Sequence, residues 1–238
     1  MNVYEALKES LKEQIQRRGL SGRGVSVRCE ALSAEEAIGR PEHDDYPIVR
    51  GREVMVEAVF EGARGQAFSD DFENTDLAVD DLLDMRLDSN RKRAVFVAAL
   101  NAVFRRLGLC GRTIHCKDDE PARCADCLPD LIEPGKKVLL AGHQPRFLEI
   151  LSSHGRVRAV DLDEGHIGSG FCGVTIEPPE ATPDAIEWSD LIFATGSTLV
   201  NGTIGDFLDR GRPVVFYGVT ISAAAVILNL RRFCRLGR

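Results

Sequence analysis

Four short apolar runs in the second half of the sequence constrain the fold more than any other feature. They are residues 138–141, 157–162, 191–194 and 214–217, and each is followed by glycine and then by helix-compatible sequence. Continuous apolar runs fit strands buried on both faces, and their alternation with helices implies a parallel sheet. We therefore predict an α/β fold with a Rossmann-like parallel-sheet domain over residues 135–238. A final helix is predicted over residues 221–233.

The first half of the sequence shows two helical patterns. Apolar residues at helical spacing over residues 4–15 predict an amphipathic helix that ends near Gly22, and a second stripe predicts a helix over residues 90–107. Ser33 and Glu36 fit the capping box of a short helix between them.

Two strands are also predicted in this half. Apolar and polar residues alternate over residues 25–29 and 54–60, as they do in half-buried strands. We therefore predict a small α+β domain over residues 1–109. Residues 110–134 lack periodicity and are expected to form a cysteine-rich linker or an ordered loop between the domains.

Composition and charge restrict the class of protein. The 238 residues are enough for two small domains, and 44% hydrophobic content allows ordinary cores. A net charge of −7 opposes nucleic-acid binding, which requires a basic surface. The sequence contains neither the apolar stretch of a membrane span nor a signal peptide, so we expect a cytoplasmic protein without a membrane partner. The oligomeric state stays open, with a homo-oligomer among the alternatives.

Four of the seven cysteines fall between residues 110 and 127. Thiolate and imidazole are common ligands of transition metals, and Cys124 and Cys127 have ligand spacing. With His115 and Cys116 they form a candidate metal site. Because a second C-x-x-C pair is missing, a loop of reduced thiols explains the same residues equally well.

Three loops at the carboxyl ends of the predicted parallel strands are candidate ligand sites, since such loops present backbone N–H groups at helix N-termini. The first contains Gly142, His143 and Gln144. It departs from the G-x-G-x-x-G pattern, so a dinucleotide is not indicated. Asp161 follows the next strand, where it fits a partner of a ribose hydroxyl but equally a helix cap or turn residue.

The third loop, residues 195–203, is rich in glycine, hydroxyl and amide residues. This composition favours an anion-binding site over a simple helix cap, which needs fewer such side chains. The candidate ligand-binding residues here are Thr195, Gly196, Ser197, Thr198, Asn201, Gly202 and Thr203.

Five segments together resemble the family called "putative heavy-metal chelation domain": residues 65–69, 101–103, 115–118, 195–203 and 216–220. The resemblance implies an N-terminal domain like that of enolase, a C-terminal Rossmann-like domain and a cleft between them. Residues 115–118 and 195–203 would form the walls of that cleft. The sequence departs from the family at His166, where asparagine is expected before Ile167.

Two functional hypotheses follow. The first is a protein that chelates a transition-metal ion, or binds a metal-bearing small molecule, in the cleft. The alternative is an enzyme acting on a nucleotide-like or phosphorylated molecule, with His115, Lys117 and Asp118 as candidate catalytic residues. A regulatory or scaffold protein is a third reading, and it predicts a cleft filled by side chains.

Overall fold

The computed structural model describes residues 2–28, 35, 38–40, 45, 46 and 53–238, with the backbone alone for 27 and 28. These residues form two β-sheets with helices packed against them, so the predicted α/β class is confirmed. The predicted capping box of Ser33 and Glu36 lies outside the described residues, as does the end of the first predicted strand at Cys29.

The first sheet is antiparallel. Its described strands are β1 (Gly24–Arg28), β2 (Val54–Phe60), β3 (Ala63–Ser69) and β4 (Thr75–Ala78), in the spatial order β3-β2-β1-β4. Strands β2 and β3 form a hairpin that pairs along its whole length, from Phe60 opposite Ala63 to Val54 opposite Ser69. The sequence predicted β1 and β2, whereas β3 and β4 were not predicted.

The second sheet is mostly parallel. Its described strands are β5 (Lys137–Ala141), β6 (Arg156–Val160), β7 (Gly170–Phe171), β8 (Val174–Glu177), β9 (Leu191–Thr195), β10 (Val214–Tyr217) and β11 (Arg231–Phe233). They lie in the order β11-β10-β9-β5-β6-β8-β7, and the short β7 alone among them is antiparallel to its neighbour. The four apolar runs thus form β5, β6, β9 and β10, as predicted.

Helices cover both sheets. They are α1 (Val3–Arg18), α2 (Asp81–Asp84), α3 (Asn90–Arg106), α4 (Glu120–Ala125), α5 (Pro145–His154), α6 (Thr182–Trp188), α7 (Thr198–Asn201) and α8 (Ser222–Ile227). Helix α1 ends where Gly19 adopts the left-handed conformation, three residues before the predicted Gly22. In the described part of the chain, no helix is long and apolar enough to cross a membrane.

Helix α3 is the centre of the core. All of its residues from 94 to 104 are buried, which is the pattern of a helix surrounded by protein. One apolar cluster joins it to Leu7 of α1, Phe60 of β2 and Phe216 of β10. All described strands of the first sheet precede residue 109, and all those of the second follow residue 135. On that ground we propose one domain at residues 1–109 and another at 135–238, with residues 110–134 as the segment between them.

The predicted C-terminal helix over residues 221–233 is wrong in its second half. Helix α8 ends at Ile227, Asn229 takes a left-handed conformation at φ 52°, and the chain turns into β11. The N–H and C=O groups of residues 231–233 pair with the open edge of β10, where Arg231 lies opposite Val215. This long-range pairing replaces the last helical turns.

The strand order creates a crevice at one edge of the second sheet. From β5 the chain crosses to β6 on one side, and it later returns to place β9 on the other side. The loops that follow β5 and β9 therefore diverge, and ligands of α/β sheets bind at such a switch point, beyond the carboxyl ends of the strands.

Candidate functional site

A cleft of about 1470 Å³ opens at this crevice and extends to the first sheet. Glu53, Ser69 and Asn90 line it from the side of the first sheet, and Asp161 and Thr195 line it from the carboxyl ends of the second. Two sheets therefore build one ligand-sized space.

A smaller inner pocket of about 150 Å³ adjoins the cleft. Gly142, Asp161 and Thr195 line both spaces, so the pocket opens into the cleft through the strand-end loops. Phe147 and Tyr217 belong to its inner wall.

The loop after β5 needs its glycine. Gly142 has φ +93°, and a Cβ atom there would lie 2.7 Å from Thr195 Cγ2 and 2.9 Å from the hydroxyl oxygen of Tyr217. That hydroxyl donates a hydrogen bond to the main-chain oxygen of Gly142 at 2.9 Å. Gln144 lines the inner pocket, and its Oε1 accepts from the N–H of Phe147 at 2.6 Å, which caps α5.

Asp161 organises the two loops beside it. One carboxylate oxygen accepts from the N–H of His143 at 2.5 Å and the other accepts from the N–H of Asp163 at 2.7 Å. This is the turn-forming role that the sequence offered as an alternative to ribose binding. Both oxygens retain further lone pairs toward the cleft.

His143 and His166 both line the inner pocket, with ring centroids 4.8 Å apart and ring planes tilted by 56° to each other. The Nδ1 atoms of both rings are buried and have no hydrogen-bond partner. His166 Nδ1 lies 3.8 Å from a carboxylate oxygen of Asp161. Burial, followed by the neighbouring His166, lowers the pKa of His143, so its ring stays neutral and keeps a free lone pair.

Several carboxylates line the cleft together. Burial raises the pKa of Glu53 to about 7, and the negative charges of Asp161, Asp163 and Asp70 add to the effect. All four residues line the cleft. A carboxyl group with this pKa can gain or lose a proton near neutral pH.

The loop of residues 195–203 satisfies many of its polar groups internally. The N–H of Gly196 donates to the main-chain oxygen of Tyr217 at 2.8 Å, and the N–H of Ser197 donates to Thr195 Oγ1 at 3.2 Å. The hydroxyl of Thr198 donates to the main-chain oxygen of Thr195 at 2.8 Å. These N–H groups are engaged within the protein, which is the behaviour of a capped turn.

The side chains of the same loop still reach the ligand space. Of the predicted residues, Thr195, Ser197, Thr198, Asn201 and Thr203 line the cleft. Gly196 and Gly202 do not line it, and their role is in the backbone. Gly202 ends α7 with φ +81°.

The cysteine-rich segment meets the site through four of its residues, one of which is Pro121. His115, Cys116 and Cys124 line the inner pocket. His115 Nδ1 contacts the main-chain oxygen of Cys116 at 2.6 Å, and Cys116 Sγ lies 3.9 Å from the same nitrogen. Burial raises the pKa of the Cys116 and Cys124 thiols, which keeps them protonated at neutral pH.

The other candidates of this segment lie outside both spaces. Cys127 Sγ donates to the main-chain oxygen of Arg123 at 3.6 Å. Asp118 takes a left-handed conformation, and its carboxylate accepts from the N–H of Arg40 at 2.9 Å. The N–H of Lys117 donates to Glu120, and Lys117 is not among the described residues that line the cleft or the pocket.

Among the described residues, no group of three or more His, Cys, Asp or Glu side chains is arranged to hold a metal ion. Glu53, Asp163 and Tyr217 are among the lining residues that were not predicted to be in the site. A charged residue directly before the apolar alternation of β2 was the available signal for Glu53, and a second acid two residues after Asp161 was the signal for Asp163.

Comparison with known proteins adds a family and a fold. Residues 126–237 match the model of the family DUF364, described as "Putative heavy-metal chelation". A protein of unknown function of that family from Pyrococcus horikoshii has a similar structure, with a TM-score of 0.55 and 17% identity over 92% of this chain and 79% of that chain. A second, from Desulfitobacterium hafniense, has a TM-score of 0.51 and 15% identity over 74% and 72% of the two chains. At these identities the likeness concerns the fold. Among proteins with curated descriptions, none matches the chain.

Proposed function

Residues 126–237 match the family described as "Putative heavy-metal chelation", the family that the sequence motifs resemble, and from this match we propose that the cleft binds a transition metal held by a small organic chelator. The observation that carries the proposal is the pair of His143 and His166. Their rings lie 4.8 Å apart, and both Nδ1 atoms are buried without a hydrogen-bond partner. Neutral imidazole nitrogen is a common ligand of transition metals in proteins.

The chelator follows from the number of donors and from the space. Protein-held zinc sites use three or four side-chain ligands, whereas this pair supplies two. The remaining coordination positions therefore face the cleft. Its volume of about 1470 Å³ is far larger than an ion requires and accommodates an organic molecule.

The charge of the cleft selects among such complexes. Among the lining residues that the structure describes, Arg210 is the only Lys or Arg, against eight carboxylates. These carboxylates belong to Glu53, Asp70, Asp161, Asp163, Glu164, Glu180, Glu187 and Asp206. Such a field attracts a cationic complex and repels a phosphorylated or otherwise anionic one.

One observation favours an enzyme instead. Glu53, with a pKa of about 7, is suited to proton transfer at neutral pH. In that reading Glu53 takes over the acid/base role from the earlier candidates, of which only His115 lines the inner pocket. The acidic lining weighs against a nucleotide or phosphorylated substrate, and for that reason we place the metal complex first.

The test compares two nickel complexes that each leave two coordination positions open. Ni²⁺ bound to tris(2-aminoethyl)amine is a cation, and Ni²⁺ bound to nitrilotriacetate is an anion. Calorimetric titration of the metal-free protein should give tighter binding of the cationic complex. His143→Ala and His166→Ala should each weaken it by about tenfold or more, since each removes one of two ligands.

The matched control is His154→Ala, which makes the same change at an exposed position at the end of α5. It should bind the cationic complex like the wild type. If Cys116→Ser or Cys124→Ser abolishes binding while both histidine variants retain it, the metal ligands are the cysteine-rich set of His115, Cys116, Cys124 and Cys127. If neither complex binds and free Ni²⁺ does not bind either, the proposal is refuted.

A further inference from the structure

The inner pocket has a lining unlike that of the cleft beside it. Rings form much of its wall: Phe68 packs edge-on against His115, with centroids 5.3 Å apart, and Phe147 packs edge-on against Tyr217 at 5.0 Å. The thiols of Cys116, Cys124 and Cys234 complete the wall. Aromatic rings and cysteine side chains present weakly polar surfaces.

The pocket is also lined by Glu53, Asp161, Asp163, His143 and His166, and the Nδ1 atoms of the two histidines have no hydrogen-bond partner. The polar groups beside the rings, in contrast, are bonded within the protein. The Tyr217 hydroxyl donates to the main-chain oxygen of Gly142 at 2.9 Å, and Thr220 Oγ1 accepts from the N–H of Phe68 at 3.1 Å. His115 Nδ1 is held by the main-chain oxygen of Cys116. A guest that packs against this aromatic part of the wall therefore needs no hydrogen-bonding groups of its own.

The volume of the pocket sets the size of that guest. At about 150 Å³ it matches the engineered apolar cavity of another protein that stays dry and binds benzene. His143 lines this pocket, and His166 lines both the pocket and the cleft.

We propose that the inner pocket binds an aromatic group of about the size of a single benzene ring. In the natural ligand this ring is attached to the metal-binding part, so that the metal lies at the two histidines and the ring points inward. That attachment rests on the proposed function. The affinity of the pocket for the ring does not, because its walls are formed by the protein alone.

The test uses toluene as the probe and the metal-free protein, with ¹⁵N-labelled amides observed by NMR. Toluene should shift the amide signals of Gly218, Val219 and Thr220, and its protons should give intermolecular NOEs to the rings of Phe147, Tyr217 and Phe233. Cys116→Met extends a side chain into the pocket and should weaken toluene binding by about tenfold or more.

The matched control is Cys127→Met, the same substitution outside the pocket, which should bind toluene like the wild type. The NOEs are measured on the wild type, so they decide the question even if Cys116→Met does not fold. Toluene that gives no NOE to these rings, or binding that Cys116→Met leaves unchanged, overturns the proposal. Because no metal is present, this result is independent of whether His143 and His166 bind nickel.

Discussion

The side-chain amide nitrogen of Asn101 lies 3.1 Å from the main-chain oxygen of Thr220 and ties α3 to the segment that follows β10. The same nitrogen lies 3.0 Å from the oxygen of Gln66 in β3 and 3.3 Å from that of Val219. Asn101 Oδ1 accepts from the N–H of Ala223 at 2.8 Å. One buried amide therefore connects the first sheet, the central helix and the wall of the inner pocket.

Asn101→Leu should strongly destabilise the protein. The substitution keeps the approximate volume but leaves buried main-chain groups of β3 and of residues 219–223 without a partner. We expect a loss of about 2–5 kcal/mol in the free energy of unfolding, measured in urea. The control is Asn2→Ala, which removes one exposed capping bond of α1 and should cost about 1 kcal/mol or less. Equal effects of the two substitutions would contradict the role of Asn101.

Gly65→Ala tests how closely β3 approaches α3. A Cβ atom on Gly65 would lie 2.2 Å from the main-chain nitrogen of Ala102 and 2.5 Å from the main-chain oxygen of Ala98. Backbone atoms cannot move aside as a flexible side chain can, so sheet and helix must separate. We expect a loss of about 3 kcal/mol or more in the free energy of unfolding.

Gly24→Ala is the matched control for that substitution. Gly24 lies in β1 of the same sheet, and a Cβ atom there would meet nothing within 4 Å. It should change the stability by less than about 1 kcal/mol. A similar loss at both positions would mean that the contact with α3 is not the cause.

The strands that the sequence predicted are those whose pattern is local. The apolar runs of β5, β9 and β10 are largely buried, and their composition alone identifies them. The run that forms β6 is apolar enough to be recognised, although only Ala159 and Val160 are buried in that strand. β3 was not predicted because Gly65 and Gln66 interrupt the alternation of apolar and polar residues. Gly65 allows the close approach of α3, and the Gln66 side chain makes hydrogen bonds to Glu57 and His115. β11 escaped because its partner is the edge of β10, which no window of local sequence contains.

Cysteine reactivity should follow exposure. The pKa values of Cys116, Cys124 and Cys172 are all raised, but Cys172 is exposed at the turn between β7 and β8, whereas Cys116 and Cys124 are buried. At neutral pH, iodoacetamide should modify Cys172 before Cys116 and Cys124, because alkylation requires an accessible thiolate. Peptide mass spectrometry after short exposures measures the order. Early modification of Cys116 would show that the inner pocket is open to solvent and its thiol ionised.

The candidate site was predicted in part, for a physical reason. Loops after parallel strands converge at one edge, so Gly142, Asp161 and Thr195 were placed together correctly from their position after a strand. Glu53 comes from the other sheet, and its approach depends on how the sheets pack. Cys127 has the spacing of a metal ligand, yet it lies outside both spaces. It follows the end of α4, whereas Cys124 lies within that helix and lines the inner pocket.

The pKa of Glu53 makes stability depend on pH in a defined direction. Its value is about 7 in the folded protein, against 4.5 ordinarily, so the folded state holds the proton more tightly than the unfolded state. The protonated carboxyl therefore makes its full contribution to the free energy of unfolding below about pH 4.5, and this contribution is lost as the pH rises through 7.

Glu53→Gln removes this dependence, because the amide stays neutral. At about pH 8 the variant should be more stable than the wild type by about 1–3 kcal/mol, and the difference should shrink toward zero near pH 4.5. Urea unfolding of both proteins across this range measures it. The control is Glu9→Gln on the exposed face of α1, which should change stability by less than about 0.5 kcal/mol throughout. If Glu53→Gln gives the same difference at every pH, Glu53 does not titrate near neutral pH, and the observation that favours an enzyme is lost.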